Sequence, residues 1–228
     1  MHLATQTSEL ALSSSKLNEV YRLRHACYLR NFAIDPSPDF RFTDRFDALP
    51  NHFSFLQHRA SQPQSTVRVS VVRPDLGWTD SPARQTFGDH PCFQRFAASS
   101  YAEGNRLCFD PQAKRRGFVE LLANVAALAE VYDVEWILAC PRMEHVHVYQ
   151  NLFGFQPQAE PRSGIGVKLI APLMATSLSQ LRAYVQYDQR MIEAWQAASQ
   201  RLRGESVLPL AANMNPHLDS LAQSLAAS

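Results

Sequence analysis

The sequence has almost no net charge, no closely spaced cysteine pair and no apolar run long enough to cross a bilayer. Lysine and arginine total 22 against 21 acidic residues, so bulk charge demands neither a nucleic acid nor a membrane surface as partner. The four cysteines, Cys27, Cys92, Cys108 and Cys140, lie far apart and form no CxxC, which argues against a zinc ribbon or a dithiol redox motif. They read as reduced, partly buried thiols of a cytoplasmic protein. The first residues carry neither a basic stretch nor an apolar core, so no signal peptide is expected. No internal repeat is visible.

What is present is a composition suited to one folded core, 46% hydrophobic and 19% charged over 228 residues. Residues 1–14 read as a loose polar leader. Leu17, Val20, Tyr21, Arg24, Cys27 and Tyr28 then recur at helical spacing. Pro36 and Pro38 forbid continuation, and residues 35–51 form a charged, aromatic loop. The alternation in 52–58 and 66–73 predicts two strands, with Val67, Val69 and Val71 on one face and Arg68 on the other. Residues 74–90 read as loop, followed by a short helix or turn over 92–98. Residues 102–111 read as a strand in which Gly104 suggests a bulge or a close backbone approach. A helix follows with Phe118, Leu121, Leu122, Val125, Leu128, Ala129 and Tyr132 along one face. Strands are expected at 134–141 and 166–173, with a short helix over 144–153 between them. An amphipathic helix is expected over 177–203, and a weaker one over 216–226. The result is a mixed α/β protein: a leader (1–14), a main domain (15–175) and a helical C-terminal extension (176–228).

The chemistry-bearing stretch is Glu103-Gly104-Asn105-Arg106-Leu107, followed by Lys114-Arg115-Arg116-Gly117-Phe118 at the start of a helix. A strand that turns through a basic loop into a helix offers backbone N–H groups and positive charge, the combination that holds phosphate; a solvated basic turn is the alternative. His145 and His147, two apart on a helix, do not share a face, and no metal site is expected. Cys108 and Cys140 have no evident base beside them and are not read as nucleophiles.

These residues carry a resemblance. From Val20 to about Met174 the chain resembles the N-acyl amino acid synthases, relatives of the acyl-homoserine lactone synthases in the N-acetyltransferase superfamily. Arg24-His25-Ala26-Cys27-Tyr28 resembles the family's early R-x-x-[VC]-[FY] helix, and Asp44 and Asp47 resemble its paired aspartates. Arg68 resembles its strand arginine, Glu103-x-x-Arg106-Leu107 its E-x-S-R-[LF] signature, and Tyr149 with Gly154-Phe155 the superfamily's late tyrosine and G-F. Asn105 stands where the signature has serine, the [QR]-x-x-G-x-[GA] carrier motif is incomplete, and the tyrosine-to-glycine spacing is one residue long.

The resemblance implies an N-acetyltransferase-like mixed sheet whose two central parallel strands splay apart, flanked by helices. It implies a bacterial acyltransferase that moves a fatty acyl group from acyl-phosphopantetheine, on an acyl carrier protein or on coenzyme A, to the amine of an amino acid, with no permanently bound cofactor. Glu103 has two readings, a general base for the amine or a member of an ion network with Arg24, Arg68 or Arg106. Arg106 and Tyr149 are the other catalytic candidates, Tyr149 as donor to the departing thiolate. Arg24, Asp44, Asp47 and Arg68 belong to acceptor binding or to that network. Phe109, Lys114, Arg115, Arg116, Gly117 and Phe118 would meet the carrier, and Trp136, Leu138, Phe153 and Phe155 the acyl chain. Arg41 and Arg45, in the 35–51 loop, would reach the acceptor carboxylate as part of a lid, or remain solvated. Two alternatives stay open: an S-adenosylmethionine-using lactone synthase, disfavoured because no Trp precedes the paired aspartates, and a catalytically silent binding module.

Overall fold

A computed structural model describes residues 6–111, 113 and 116–204. Among them run β1 (Gln6–Leu10), α1 (Ser14–Arg30), β2 (His52–Arg59), β3 (Gln62–Val72), α2 (Pro82–Phe87), α3 (Gln94–Ala97) and β4 (Tyr101–Phe109). There follow α4 (Arg116–Val131), β5 (Trp136–Ala139), α5 (Val146–Phe153), β6 (Gln156–Ser163), β7 (Ile170–Ser177), α6 (Leu178–Val185) and α7 (Gln189–Gly204). The strands make one sheet in the order β1-β2-β3-β4-β5-β7-β6. β4 and β5 pair parallel, joined by the crossover helix α4, and their neighbours pair antiparallel.

The pattern of β3 explains the layering. Val67, Val69 and Val71 pack with Leu121, Val125 and Leu128 of α4 on one face of the sheet. Arg68 and Ser70, on the opposite face, are also fully buried. α5, α6 and α7 join α4 on its side, and α1, α2 and α3 cover the other. α1 begins where the Ser13 hydroxyl accepts the Lys16 N–H and ends at Asn31, whose N–H closes on the Cys27 carbonyl.

Four expectations change. Residues 6–10, read as part of a loose leader, form the edge strand β1 along β2; its side chains are mostly polar, and Leu10 enters the core. Residues 82–87, read as loop, form α2: Ser81 caps it and Pro82 occupies its first turn, where a missing N–H costs nothing. The helix expected over 177–203 is two, because Asp188 accepts the N–H groups of Arg190 and Met191 and restarts the chain as α7. The strand expected at 166–173 begins later, at Ile170, and pairs on its far side with β6. The helix expected over 216–226 lies outside the described residues. No helix among the described residues is long and apolar enough to cross a membrane.

One irregularity of the sheet positions everything else. β4 and β5 pair from Tyr101↔Trp136 to Gly104↔Ala139 and no further. β4 runs on to Phe109 against β3 alone, while the chain after β5 turns away at Cys140-Pro141, and Pro141 has no N–H to offer a ladder. The two central parallel strands therefore splay.

Candidate active site

The bulge foreseen near Gly104 lies at Arg106. Arg68 faces Asn105 and Thr66 faces Cys108, so Arg106 and Leu107 together oppose the single Val67. Arg106 takes φ 52°, the left-handed region that a non-glycine residue enters only when its surroundings hold it there. Gly104 itself sits in regular pairing, its Cα side turned to Val125 of α4. The bulge removes the simple alternation that would have sent Glu103 and Arg106 to opposite faces, and both line one cavity.

What holds Arg106 is a buried ion cluster. The Asp44 carboxylate accepts from Arg106 Nη2 at 2.6 Å and from Arg68 Nη1 at 2.6 Å. Asp47 accepts from Arg68 at 2.9 Å and from Arg24 at 2.7 Å. Asp44 and Asp47 fix each other through a capping box around the 3-10 turn Arg45–Ala48, which is why the pair is spaced by three. Burial alone would raise the Asp44 carboxyl, but Arg68 and Arg106 outweigh it and hold it well below the usual carboxylate range. Three guanidinium groups meet two carboxylates here, which leaves one positive charge in excess in a nearly dry cluster. Arg68 Nε also holds Asn105 Oδ1 at 2.7 Å, and Arg106 lies over the Phe42 ring at 4.7 Å.

Glu103 stands apart from this network. Its carboxylate accepts the Ala83 N–H, at the start of α2, at 2.8 Å, and among the described residues no arginine pairs with it. Burial pushes its carboxyl up to about 7, although the Ala83 N–H, the Ser81 hydroxyl and the fields of Arg68 and Arg106 pull the other way. Ser81 both caps α2 and contacts the Tyr101 hydroxyl at 2.9 Å. The loop reading of 74–90 missed this support, and the Ser-Pro pair at 81–82, an N-cap followed by a first-turn proline, is the signal that finds it.

A cavity of about 600 Å³ opens in front of Glu103 and follows the splayed strands. β4 supplies the wall from Glu103 to Phe109, the chain after β5 supplies Cys140 to Arg142, and the turn between β6 and β7 closes the outer side. Its charged lining is Glu103 against Arg68, Arg106, Arg142 and Arg162. Arg142 and Arg162 carry no family mark and sequence reasoning passed over them. Arg41 and Arg45 stay outside: Arg41 pairs with Asp39 at the surface, and Arg45 reaches Gln85 and Asp80.

Toward α4 the cavity is lined by Phe109, Phe118 and Tyr149. Gly117 is buried in the first turn of α4, of Arg116 only the backbone is described, and Lys114 and Arg115 lie outside the described residues. Tyr149 packs edge-on against Phe118, Phe153 and Phe155, and burial raises its hydroxyl so that it stays protonated. Burial likewise pushes the Cys108 and Cys140 thiols up, away from nucleophilic reactivity.

Behind the gap lies a second, apolar slot of about 30 Å³ that shares Gly104, Leu107 and Tyr149 with the large cavity. Phe153 and Phe155 line it. Trp136 does not: strand alternation sends it to the other face, where it meets Phe96 at 5.6 Å under Arg95. Leu138 borders the slot while its side chain belongs to that same opposite cluster.

Among solved structures, FeeM, an N-acyl amino acid synthase from uncultured soil microbes, superposes with a TM-score of 0.65 at 14% identity, covering 79% of this chain and 94% of that one. The acyl-homoserine lactone synthase LasI gives 0.58 at 10% identity, covering 79% and 94%. Escherichia coli ElaA gives 0.51 at 16% identity, covering 75% and 97%. These likenesses show the fold, an N-acetyltransferase-like mixed sheet flanked by helices. No curated protein sequence matches. A family model, that of the N-acyl amino acid synthase FeeM, matches residues 19–177, which include the splayed strands and the arginine–aspartate cluster, and the chain belongs to that family.

Proposed function

We propose that this protein transfers a fatty acyl group from a phosphopantetheine thioester, carried by an acyl carrier protein or coenzyme A, to the amine of an amino acid. The observation that carries this reading is the end of β4–β5 pairing at Gly104↔Ala139. From that point a cavity leads to Glu103 on one side and to an apolar slot on the other. A pantetheine arm laid in the gap has its phosphate end toward the first turn of α4, its carbonyl near Glu103 and the tail of its acyl chain directed at the slot.

The thioester is already activated, so the site needs to position the amine, take its proton and hold the oxyanion. Glu103 takes the proton from the ammonium. The amine nitrogen attacks the carbonyl carbon, and β4 amides facing the gap receive the developing oxyanion. The carbon–sulfur bond breaks, the thiolate leaves with a proton from Tyr149, and the nitrogen gives up its second proton as the adduct collapses, which restores the Tyr149 hydroxyl; the products are an N-acyl amino acid, the free carrier thiol and a protonated Glu103 that returns its proton to solvent. Arg142 and Arg162 pair with Glu144 and Asp89, so the pull on an acceptor's carboxylate comes from the excess positive charge of the Arg24–Asp47–Arg68–Asp44–Arg106 cluster beside the cavity. A sulfonium acceptor such as S-adenosylmethionine would bring further positive charge to the same wall.

The test is a mixture of the twenty amino acids, or S-adenosylmethionine, incubated with the protein and acyl thioesters of either carrier and read by mass spectrometry. N-acyl amino acids are the expected product. Acyl-homoserine lactone alone would reassign the acceptor, and carrier binding without product would make the protein a silent module.

A further inference from the structure

The apolar slot is closed by residues that the family match does not contain. Leu181 of α6 and Met191 of α7, beyond the end of the matched region at residue 177, form part of its wall. Gly104, Leu107 and Tyr149, shared with the large cavity, mark its entrance, and Leu122, Val125 and Ala126 of α4 with Phe153 and Phe155 line the rest. The slot's free space is about 30 Å³ against about 600 Å³ for the cavity it adjoins, so it is the narrow end of the path and a chain that enters it soon meets Leu181 and Met191. Taking the proposed acyl transfer as its basis, we infer that the C-terminal helices measure the acyl chain, with Met191 and Leu181 as the stop.

The stop is held in place. Trp195 Nε1 donates to Glu130 of α4 at 2.8 Å, and Ser199 donates to the same carboxylate at 3.0 Å. Arg201 donates to Asn124 of α4 at 2.7 Å. Asp188 caps the start of α7 three residues before Met191, so the helix enters the wall at a fixed point. Met191 and Leu181 are themselves buried. A methionine at the end of such a slot is unbranched and adaptable, so it sets a limit that a chain meets gradually rather than as a rigid face. Both residues of the stop lie beyond residue 177, where the family match ends.

The experiment uses the full chain, a graded series of straight-chain acyl-CoA thioesters with mixed amino acids, and the matching S-alkyl-CoA thioethers for calorimetric binding. Wild type is expected to show a chain-length cut-off in both. Met191→Ala should move that cut-off up by about two carbons, with kcat/KM for the first excluded donor rising roughly fourfold per methylene admitted. Leu181→Ala should move it the same way, Met191→Phe should move it down, and Met191→Leu should leave it in place. Variants with the wild-type length profile, or with all lengths scaled alike, overturn the inference. Should wild type bind thioethers with a cut-off that Met191→Ala shifts and yet form no amide, the ruler stands and the proposed transfer falls. Thioether affinity independent of length overturns the ruler whatever the turnover.

Discussion

At Glu103, burial and the proposed role as base point the same way. A carboxyl pushed up to about 7 is a weak acid in the range where it can accept a proton from an ammonium near neutrality. Activity should rise with pH through about 7 as Glu103 ionises, and Glu103→Gln should remove that limb and lower kcat/KM by about 10²- to 10⁴-fold. A pH–rate profile of both proteins checks this, and a limb that survives the substitution assigns it to another group. Stability runs the opposite way. The folded carboxyl binds its proton more tightly than the unfolded one, so this group's contribution is whole below about 4.5 and is lost as pH rises toward 7. Glu103 and Arg106 are visible in the sequence as a signature. That Glu103 rests on the Ala83 amide, 20 residues upstream, and not on an arginine is invisible there, because a backbone donor leaves no mark of its own.

Elements decide whether those residues meet. The bulge at Arg106 and the short helix α2 are the two devices, one turning Arg106 into the cavity and the other holding Glu103 from above. Ser81→Ala should cost about 1 kcal/mol of stability through the lost cap. It should also move the pH–rate limb upward, because the Ser81 hydroxyl favours the ionised carboxylate. Thermal melting and the same profile measure the two effects, and a limb displaced downward would contradict the role given to Ser81. Strong periodicity made β3 and α4 legible in the sequence. α2 was not, because its six residues sit among prolines and glycines that read as loop. A glycine in a strand points to a bulge near Gly104, and the side chains of Asp44, Arg68 and Asn105 fix that bulge two residues on. Apolarity alone points Trp136 to the acyl wall; only the strand's phase, which a four-residue β5 barely shows, puts it on the other face.

Across the whole molecule, the sheet is both scaffold and passage. Its cationic cavity lies on the α1–α2 side, its apolar slot on the α4–α7 side, and the missing β4–β5 pairing joins them. A donor with an anionic, polar arm and an oily chain fits a passage with that polarity. The most direct test is a crystal structure of the protein with an S-alkyl-CoA thioether. The sulfur should lie beyond the Gly104↔Ala139 pair, within reach of Tyr149, with the alkyl chain between α4 and Met191 and the open side of the sulfur facing Glu103. A ligand lying outside the sheet, with β4 and β5 closed along their length, would contradict the account.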